Sequence, residues 1–181
     1  DILEMCSGQR MMTTFFRPGG LWRDVPTDFE LAVRRFLRMF PARIDMYHAL
    51  LTKNPIFMDR TRKIGVINAV DAVRWGLTGP TLRGSGPAID LRKTQPYSGY
   101  EQYDFEVPTG THGDVYDRYL VRMEEMRQSL RIVQQALDKL PLGPVRTDDR
   151  KFVPPPRAEL GSSMEAVIHH FKHWTEGFQL P

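Results

Sequence analysis

Only one cysteine, Cys6, occurs in the 181 residues. That excludes an intrachain disulfide framework and any metal cluster held by several thiolates of this chain. A reducing cytoplasmic compartment is the simplest setting, with Cys6 itself read as a small buried hydrophobe. No apolar run approaches the ~18 residues of a membrane span, and no leader with a basic start and a small-residue cleavage site opens the chain. Membrane association is therefore expected to come through partner subunits. An excess of charge of one sign is also missing: 25 Lys and Arg stand against 22 Asp and Glu, and the net +3 is spread along the chain instead of forming a tail. Such a balance is a weak footprint for nucleic acid. Repeats and low-complexity tracts are absent, and Ser85, Ser98, Ser162 and Ser163 lie in turn or capping contexts with no Gly-x-Ser-x-Gly elbow. The length suits one ordinary core that buries roughly two-thirds of the unfolded surface, so residues 1–181 are expected to form a single domain.

Helical signals dominate what is present. Thr27-Asp-Phe-Glu30 has the form of a capping box, and Phe29, Val33, Phe36, Leu37, Phe40, Ile44, Tyr47 and Leu51 follow at three- and four-residue spacing. Pro41 is expected to kink or break that helix. Asn68 sets up a short helix ending at Gly76, the pair Gly79-Pro80 forbids its continuation, and the stretch after it reads as irregular. Tyr103, Phe105 and Val107 alternate with polar neighbours, the period-2 pattern of a short strand with one buried face. Residues 114–140 carry Val115, Tyr119, Met123, Met126, Leu130, Val133, Leu137 and Leu140 on one stripe, which predicts a long helix on the order of 40 Å that forms the spine of a bundle. Residues 141–159 hold five prolines and read as an extended connection. A last helix is expected from Ser162, completed by Glu165 as a second capping box, with Met164, Val167, Ile168 and Phe171 buried. The fold class is mainly α with a short β element.

Groups that invite a chemical role read more simply as structure. His169 and His173 stand four apart on a helix, a spacing able to place two imidazoles on one metal, but the His-Glu-x-x-His pattern and a third ligand are missing. Gly84-Ser85-Gly86 lacks the third glycine of a phosphate loop and reads as a tight turn with positive φ. Asp90 with Arg92 and Lys93 reads as a structural ion-pair network, and the pairs Glu124-Glu125 and Asp148-Asp149 as solvated charge. His48 and His112 are isolated and receive no role.

Several motifs in fixed order carry a family resemblance. They are Gly8-Gln-Arg-Met-Met-Thr-Thr-Phe-Phe-Arg-Pro-Gly-Gly20, Leu82-Arg-Gly-Ser-Gly86, Asp90-Leu-Arg-Lys-Thr-Gln-Pro-Tyr97, Tyr103-Asp-Phe-Glu-Val-Pro108, the run from Gly113 to Arg127, Ser162-Ser-Met-Glu-Ala-Val-Ile-His-His-Phe-Lys172 and Thr175-Glu-Gly-Phe178. Together they resemble the quinone-pocket subunit of respiratory complex I, the proton-translocating NADH:quinone oxidoreductase. The resemblance implies the large-subunit fold shared with nickel-iron hydrogenases, whose middle is a helical bundle. It also implies further chain on both sides, with the quinone-headgroup residues on the N-terminal side. No cofactor is expected to be bound by this segment. In the family the 8–20 loop approaches a [4Fe–4S] cluster held by the neighbouring small subunit, and that cluster passes electrons to quinone. Arg10, Met12 and Arg17 are thereby assigned beside the cluster without being its ligands. Many family members carry histidine where Met12 stands, and a thioether takes up no proton. Implied partners are the cluster-bearing small subunit, other peripheral-arm subunits, membrane-arm subunits and quinone. The implied place is the cytoplasmic face of the inner membrane, or the matrix side in a mitochondrion.

Two other readings compete. One is the large subunit of a membrane-bound hydrogenase, or of a quinone reductase fed by ferredoxin or a deazaflavin; the Asp90 to Tyr97 block favours complex I over it. The other is a non-redox helical module that binds nucleic acid through its arginines, which would lose affinity steeply with salt.

Overall fold

The computed structural model describes residues 1–177; Phe178, the end of the last motif above, lies outside them. The chain divides into two compact units, one of residues 1–32 with 141–181 and one of residues 33–140.

The first unit begins with α1 (Ile2–Ser7), which ends where Gly8 turns left-handed at φ 74° and donates its N–H to the Glu4 carbonyl. Cys6 is buried, as its small apolar character suggests, and burial pushes its thiol pKa up against the opposing pull of Arg23. Arg23 donates to the carbonyls of Cys6 and Met5, tying the chain after the loop back to α1. Between them, β1 (Phe16–Arg17) and β2 (Gly20–Leu21) form a two-stranded antiparallel hairpin that pairs Phe16 with Leu21 and Arg17 with Gly20. The proline-rich connection supplies its neighbour: Leu21 N–H donates to the Val145 carbonyl at 2.9 Å, and Thr147 N–H to the Gly19 carbonyl at 2.9 Å. Gly19 and Gly20 make this approach possible. Their φ values are +81° and +139°, and a Cβ on Gly20 would lie 2.4 Å from the Val145 oxygen.

The last helix, α8 (Met164–Thr175), is capped by Ser163, whose Oγ accepts from Ala166 N–H, and not by Ser162. Its burial also differs from expectation. Ala166 is the buried residue, whereas Met164, Ile168 and Phe171 are exposed at 75%, 53% and 61%. An apolar stripe marks a face that seeks a partner, and within this unit no described element covers it.

The second unit is helical throughout its regular structure. The helix α2 (Phe29–Tyr47) starts within the capping sequence, belongs to this unit from Val33 onward and buries Val33 and Ile44, while Leu51 beyond it is exposed. It does not break at Pro41, which sits inside it. Proline removes one donor from the ladder, but the stacked rings of Phe36 and Phe40, 4.9 Å apart, and buried Ile44 hold the helix on both sides of the gap. The helix gives way instead to a π turn over His48–Thr52. There Thr52 Oγ1 lies 2.8 Å from His48 Nδ1 and 2.9 Å from the Tyr119 hydroxyl, and Tyr116 donates to the Thr52 carbonyl. Asn54 caps α3 (Pro55–Thr61), and Asn68 caps α4 (Ala69–Arg74), which Gly76 follows at φ 68°. α4 has already ended before the Gly79-Pro80 pair, which instead opens a new helix, α5 (Gly79–Arg83), because proline in a first turn surrenders no internal hydrogen bond. The region expected to be irregular therefore holds α5, α6 (Leu91–Thr94) and a 3-10 turn at Tyr100–Gln102.

The spine is α7 (Val115–Asp138), 24 residues long and about 36 Å by its rise. Asp114 caps it by accepting from Asp117 N–H and also accepts from Lys63 N–H. Its buried residues include Tyr116, Val121, Met123, Ile132 and Leu137; Leu130 is half-buried, and Val133 and Leu140 are exposed. Along α7 runs the segment 103–107, which alternates in burial as its pattern predicts, with Phe105 inward and Asp104 and Glu106 outward. It is nevertheless no strand. Its backbone partners are helix side chains: Asp104 N–H donates to Gln135 Oε1, Gln135 Nε2 donates to the Asp104 carbonyl, and Glu106 N–H donates to Gln128 Oε1. The two glutamines do what a neighbouring strand would do.

Candidate functional site

The loop 8–20 leaves α1 at Gly8, bends outward through residues 10–12 and returns as the hairpin. Arg10 is exposed, Met12 is 93% exposed, and Arg17 is exposed on β1 with its Nε donating to the Thr14 carbonyl at 3.2 Å. Phe15 alone in this loop is buried, and its ring meets Phe16 edge-on at 5.8 Å. One inward phenylalanine and the Gly19-Gly20 turn thus fix the hairpin, while Arg10 and Met12 are left exposed on the loop before it. Of the three residues assigned to the site by resemblance, Arg17 alone lines a concavity; Arg10 and Met12 stand on the open loop.

That concavity is a cleft of about 330 Å³ within the first unit. Arg17, Leu21 and Trp22 come from the hairpin, Arg146, Val153 and Pro154 from the connection, and His173 and Trp174 from α8. His173 Nε2 donates to the Arg150 carbonyl at 2.8 Å, which fixes the ring against the connection. His169 instead sits 3.7 Å from Glu165 on its own helix, so the two imidazoles spaced for a metal have separate structural partners. Among the described residues no group of three or more His, Cys, Asp or Glu could hold a metal ion. Arg146 and Trp174 were not marked by any motif reading, and His173 was read only as half of a metal-spaced pair with His169. The available signal was the Gly19-Gly20 pair, which needs another backbone to approach it.

The second unit holds one ion-pair network in its interior. Arg83 donates through Nε and Nη2 to Glu125 Oε1 and through Nη1 to the Ile89 carbonyl. Asp90 lies 3.8 Å from Arg83 and takes Arg92 in a forked contact at 2.7 and 3.0 Å. The Arg92 hydrogen bonds hold the Asp90 carboxyl below its usual range despite burial. Arg92 and Lys93 then cover the Phe105 ring at 4.8 and 4.4 Å. Every cation here has an internal partner, so the network closes on itself and fixes the 82–105 region on α7. Gly84 serves close packing as much as turning: its φ is −60°, and a Cβ there would lie 2.7 Å from the Arg118 side chain, whereas Gly86 has φ 117°. The Ser85 hydroxyl is buried without a hydrogen-bond partner.

Each unit carries helical surfaces, and the first adds a projecting loop. Comparison with known proteins identifies the family. The family model for the respiratory-chain NADH dehydrogenase 49 kDa subunit matches residues 1–181, and the chain belongs to that family. It is 58% identical over 184 residues to a D-type NADH-quinone oxidoreductase subunit of Roseiflexus sp. (strain RS-1), covering 100% of this chain and 44% of the relative. It is 53% identical over 181 residues to the D-type NADH-quinone oxidoreductase subunit of Rhodospirillum rubrum, again over 100% of this chain and 46% of the relative. The chain therefore spans rather less than half the length of these curated relatives.

Proposed function

We propose that this chain is the middle segment of the quinone-pocket subunit of a complex I-type NADH:quinone oxidoreductase, a wall and positioning element without a redox centre of its own. The observation that carries the reading is the match over the whole chain, at 58% identity, to a protein named as a D-type subunit of NADH-quinone oxidoreductase. In this role the segment packs on the cluster-bearing small subunit and helps form the quinone chamber, and quinone-linked movement passes through it toward the membrane arm. The hydrogenase reading is not favoured by the names of these relatives, and no observation supports the nucleic-acid reading.

The loop fits a cluster held by a neighbour. Arg10, Met12 and Arg17 face outward, and the loop offers no thiolate, since Cys6 is buried in α1. The [4Fe–4S] centre would supply one-electron transfer to quinone. For their part, the Arg10 and Arg17 guanidiniums place positive charge at the face where the anionic cluster would lie, which favours its reduced form. Met12 offers a polarizable thioether with no exchangeable proton. No described helix is long and apolar enough to cross a membrane; the segment would sit peripherally at the cytoplasmic or matrix face, with peripheral-arm and membrane-arm subunits as neighbours.

Purifying the native assembly through a tag on this protein tests the reading. The expected result is co-purification with a cluster-bearing small subunit and NADH-dependent quinone reduction. Recovery with hydrogenase-type companions, or with nucleic acid released by salt, would refute it.

A further inference from the structure

We propose that the cleft between the hairpin and α8 is a docking site for an acidic segment of another subunit, one that carries an aromatic or branched aliphatic anchor beside its carboxylates. The inference deepens the reading above, because it rests on this unit facing a partner and states the chemistry of what that partner inserts.

Charge is the first argument. The cleft is lined by Arg17 and Arg146, and no described carboxylate forms an ion pair with either. Nearby cations behave differently: Arg150 is paired with Glu159 and Lys172 with Glu176, each at 3.5 Å. In the second unit Arg83 and Arg92 are likewise paired with carboxylates. Two arginines lining one cleft without a paired carboxylate among the described residues favour an anion supplied from outside.

The walls are the second argument. Leu21, Trp22, Val153, Pro154 and Trp174 make most of the lining apolar, so a hydrated inorganic anion would leave the larger part of the site uncovered. The apolar surface also continues past the cleft. Trp174 is 78% exposed, and Phe171 and Ile168 extend the stripe along α8. A peptide covers a pocket and an adjoining helix face together, with guanidinium–carboxylate forks setting its register and a large apolar side chain entering between the two indoles.

The backbone holds the site ready. Arg17 and Arg146 reach the same cleft because the hairpin is fastened to residues 145–147 through the Gly19-Gly20 turn, and His173 anchors α8 to the connection through the Arg150 carbonyl. Little conformational freedom remains to be lost when the segment enters.

The test uses the assembled enzyme with the photo-reactive residue p-benzoylphenylalanine in place of Trp22, and, in a separate preparation, in place of Met12. On irradiation, position 22 is expected to cross-link to a peptide of another subunit that contains at least two Asp or Glu and an aromatic or branched aliphatic residue. Arg146→Glu should lower that yield about tenfold, equivalent to about 1.4 kcal/mol, while Arg146→Lys retains most of it. Cross-linking to lipid, to this same protein or to a neutral or basic segment overturns the proposal, as does the absence of any product. Position 12 reads the subunit arrangement independently. If position 12 links to the cluster-bearing subunit while position 22 gives no acidic partner, the docking inference alone fails; if position 12 finds no cluster-bearing subunit, the functional reading fails.

Discussion

Arg83→Met separates a closed interior charge network from solvated surface pairs. The Arg83 side chain is 7% exposed, and its partners Asp90 and Glu125 are 5% and 17% exposed. Asp90 keeps its fork to Arg92 after the substitution, so it is not stranded. Glu125 loses both bonds to Arg83, and the Ile89 carbonyl loses its Nη1 donor. One mostly buried carboxylate and one carbonyl are then unsatisfied, a change that costs about 3–5 kcal/mol when a buried pair is broken from one side. The comparison is Arg34→Met, which breaks a pair to Asp138 whose side chains are 39% and 50% exposed and should shift the urea midpoint far less than Arg83→Met. Urea denaturation of the purified chain, followed by circular dichroism and extrapolated linearly, gives both values on one scale. Adding Glu125→Gln to Arg83→Met should recover about 1–3 kcal/mol, because a neutral amide is less costly to leave in that site. Equal losses for Arg83→Met and Arg34→Met, or no recovery in the double variant, would refute the buried-network account.

Two further outcomes follow from local geometry and protonation. Gly20→Ala places a methyl 2.4 Å from the Val145 oxygen at φ +139°, so it should cost about 1–3 kcal/mol and speed amide hydrogen exchange at Leu21 and Thr147; unchanged exchange at both would mean that the hairpin is not fastened there. For acid stability, burial would raise the Asp117 pKa, but the His112 and Thr111 backbone N–H groups, helped by the His112 ring, outweigh it and hold the carboxyl below 3.8; Asp90 is lowered chiefly by its side-chain bond to Arg92. A depressed carboxylate contributes its full stabilisation above the unfolded value and loses it as pH falls through the folded one, so urea midpoints should drop below about pH 4, and Asp117→Asn should flatten part of that drop. A midpoint independent of pH across that range would contradict the assignment.

Periodicity located the elements whose partners are other helices. The stripe from Val115 to Leu137 foretold α7 as an element but not its buried face: of the stripe only Met123 and Leu137 are buried, and Tyr116, Val121 and Ile132 complete that face. Elsewhere a pattern gave the burial but not the element. Tyr103, Phe105 and Val107 alternate as expected, yet alternation reports which side faces inward and says nothing of what satisfies the backbone, here Gln128 and Gln135. At α8 the converse happened: Met164, Ile168 and Phe171 form a sound amphipathic stripe that no described element of this unit covers. Pro41 shows that a missing donor is tolerated when the flanking turns are packed. Arg10, Met12 and Arg17 were assigned only through family resemblance, since exposed residues on a loop leave no periodic signal. The cleft was not legible, because Arg146 and His173 lie far along the chain from Arg17 and meet it only through the close approach that Gly19 and Gly20 permit.

The central claim, that Met12 stands beside a neighbour's iron–sulfur cluster, is tested most directly by redox titration. The electron paramagnetic resonance signal of the cluster in the purified enzyme would be titrated at several pH values between about 5.5 and 8, for the unmodified protein and for Met12→His. When reduction raises the proton affinity of a nearby group, proton uptake accompanies the electron, and full one-electron, one-proton coupling gives about 59 mV per pH unit. Methionine exchanges no proton in this range, so the unmodified enzyme should show a nearly flat potential. Met12→His should introduce a slope approaching that limit near the imidazole pKa, with quinone reduction continuing in both forms. A potential that ignores the Met12→His substitution at every pH would contradict the placement.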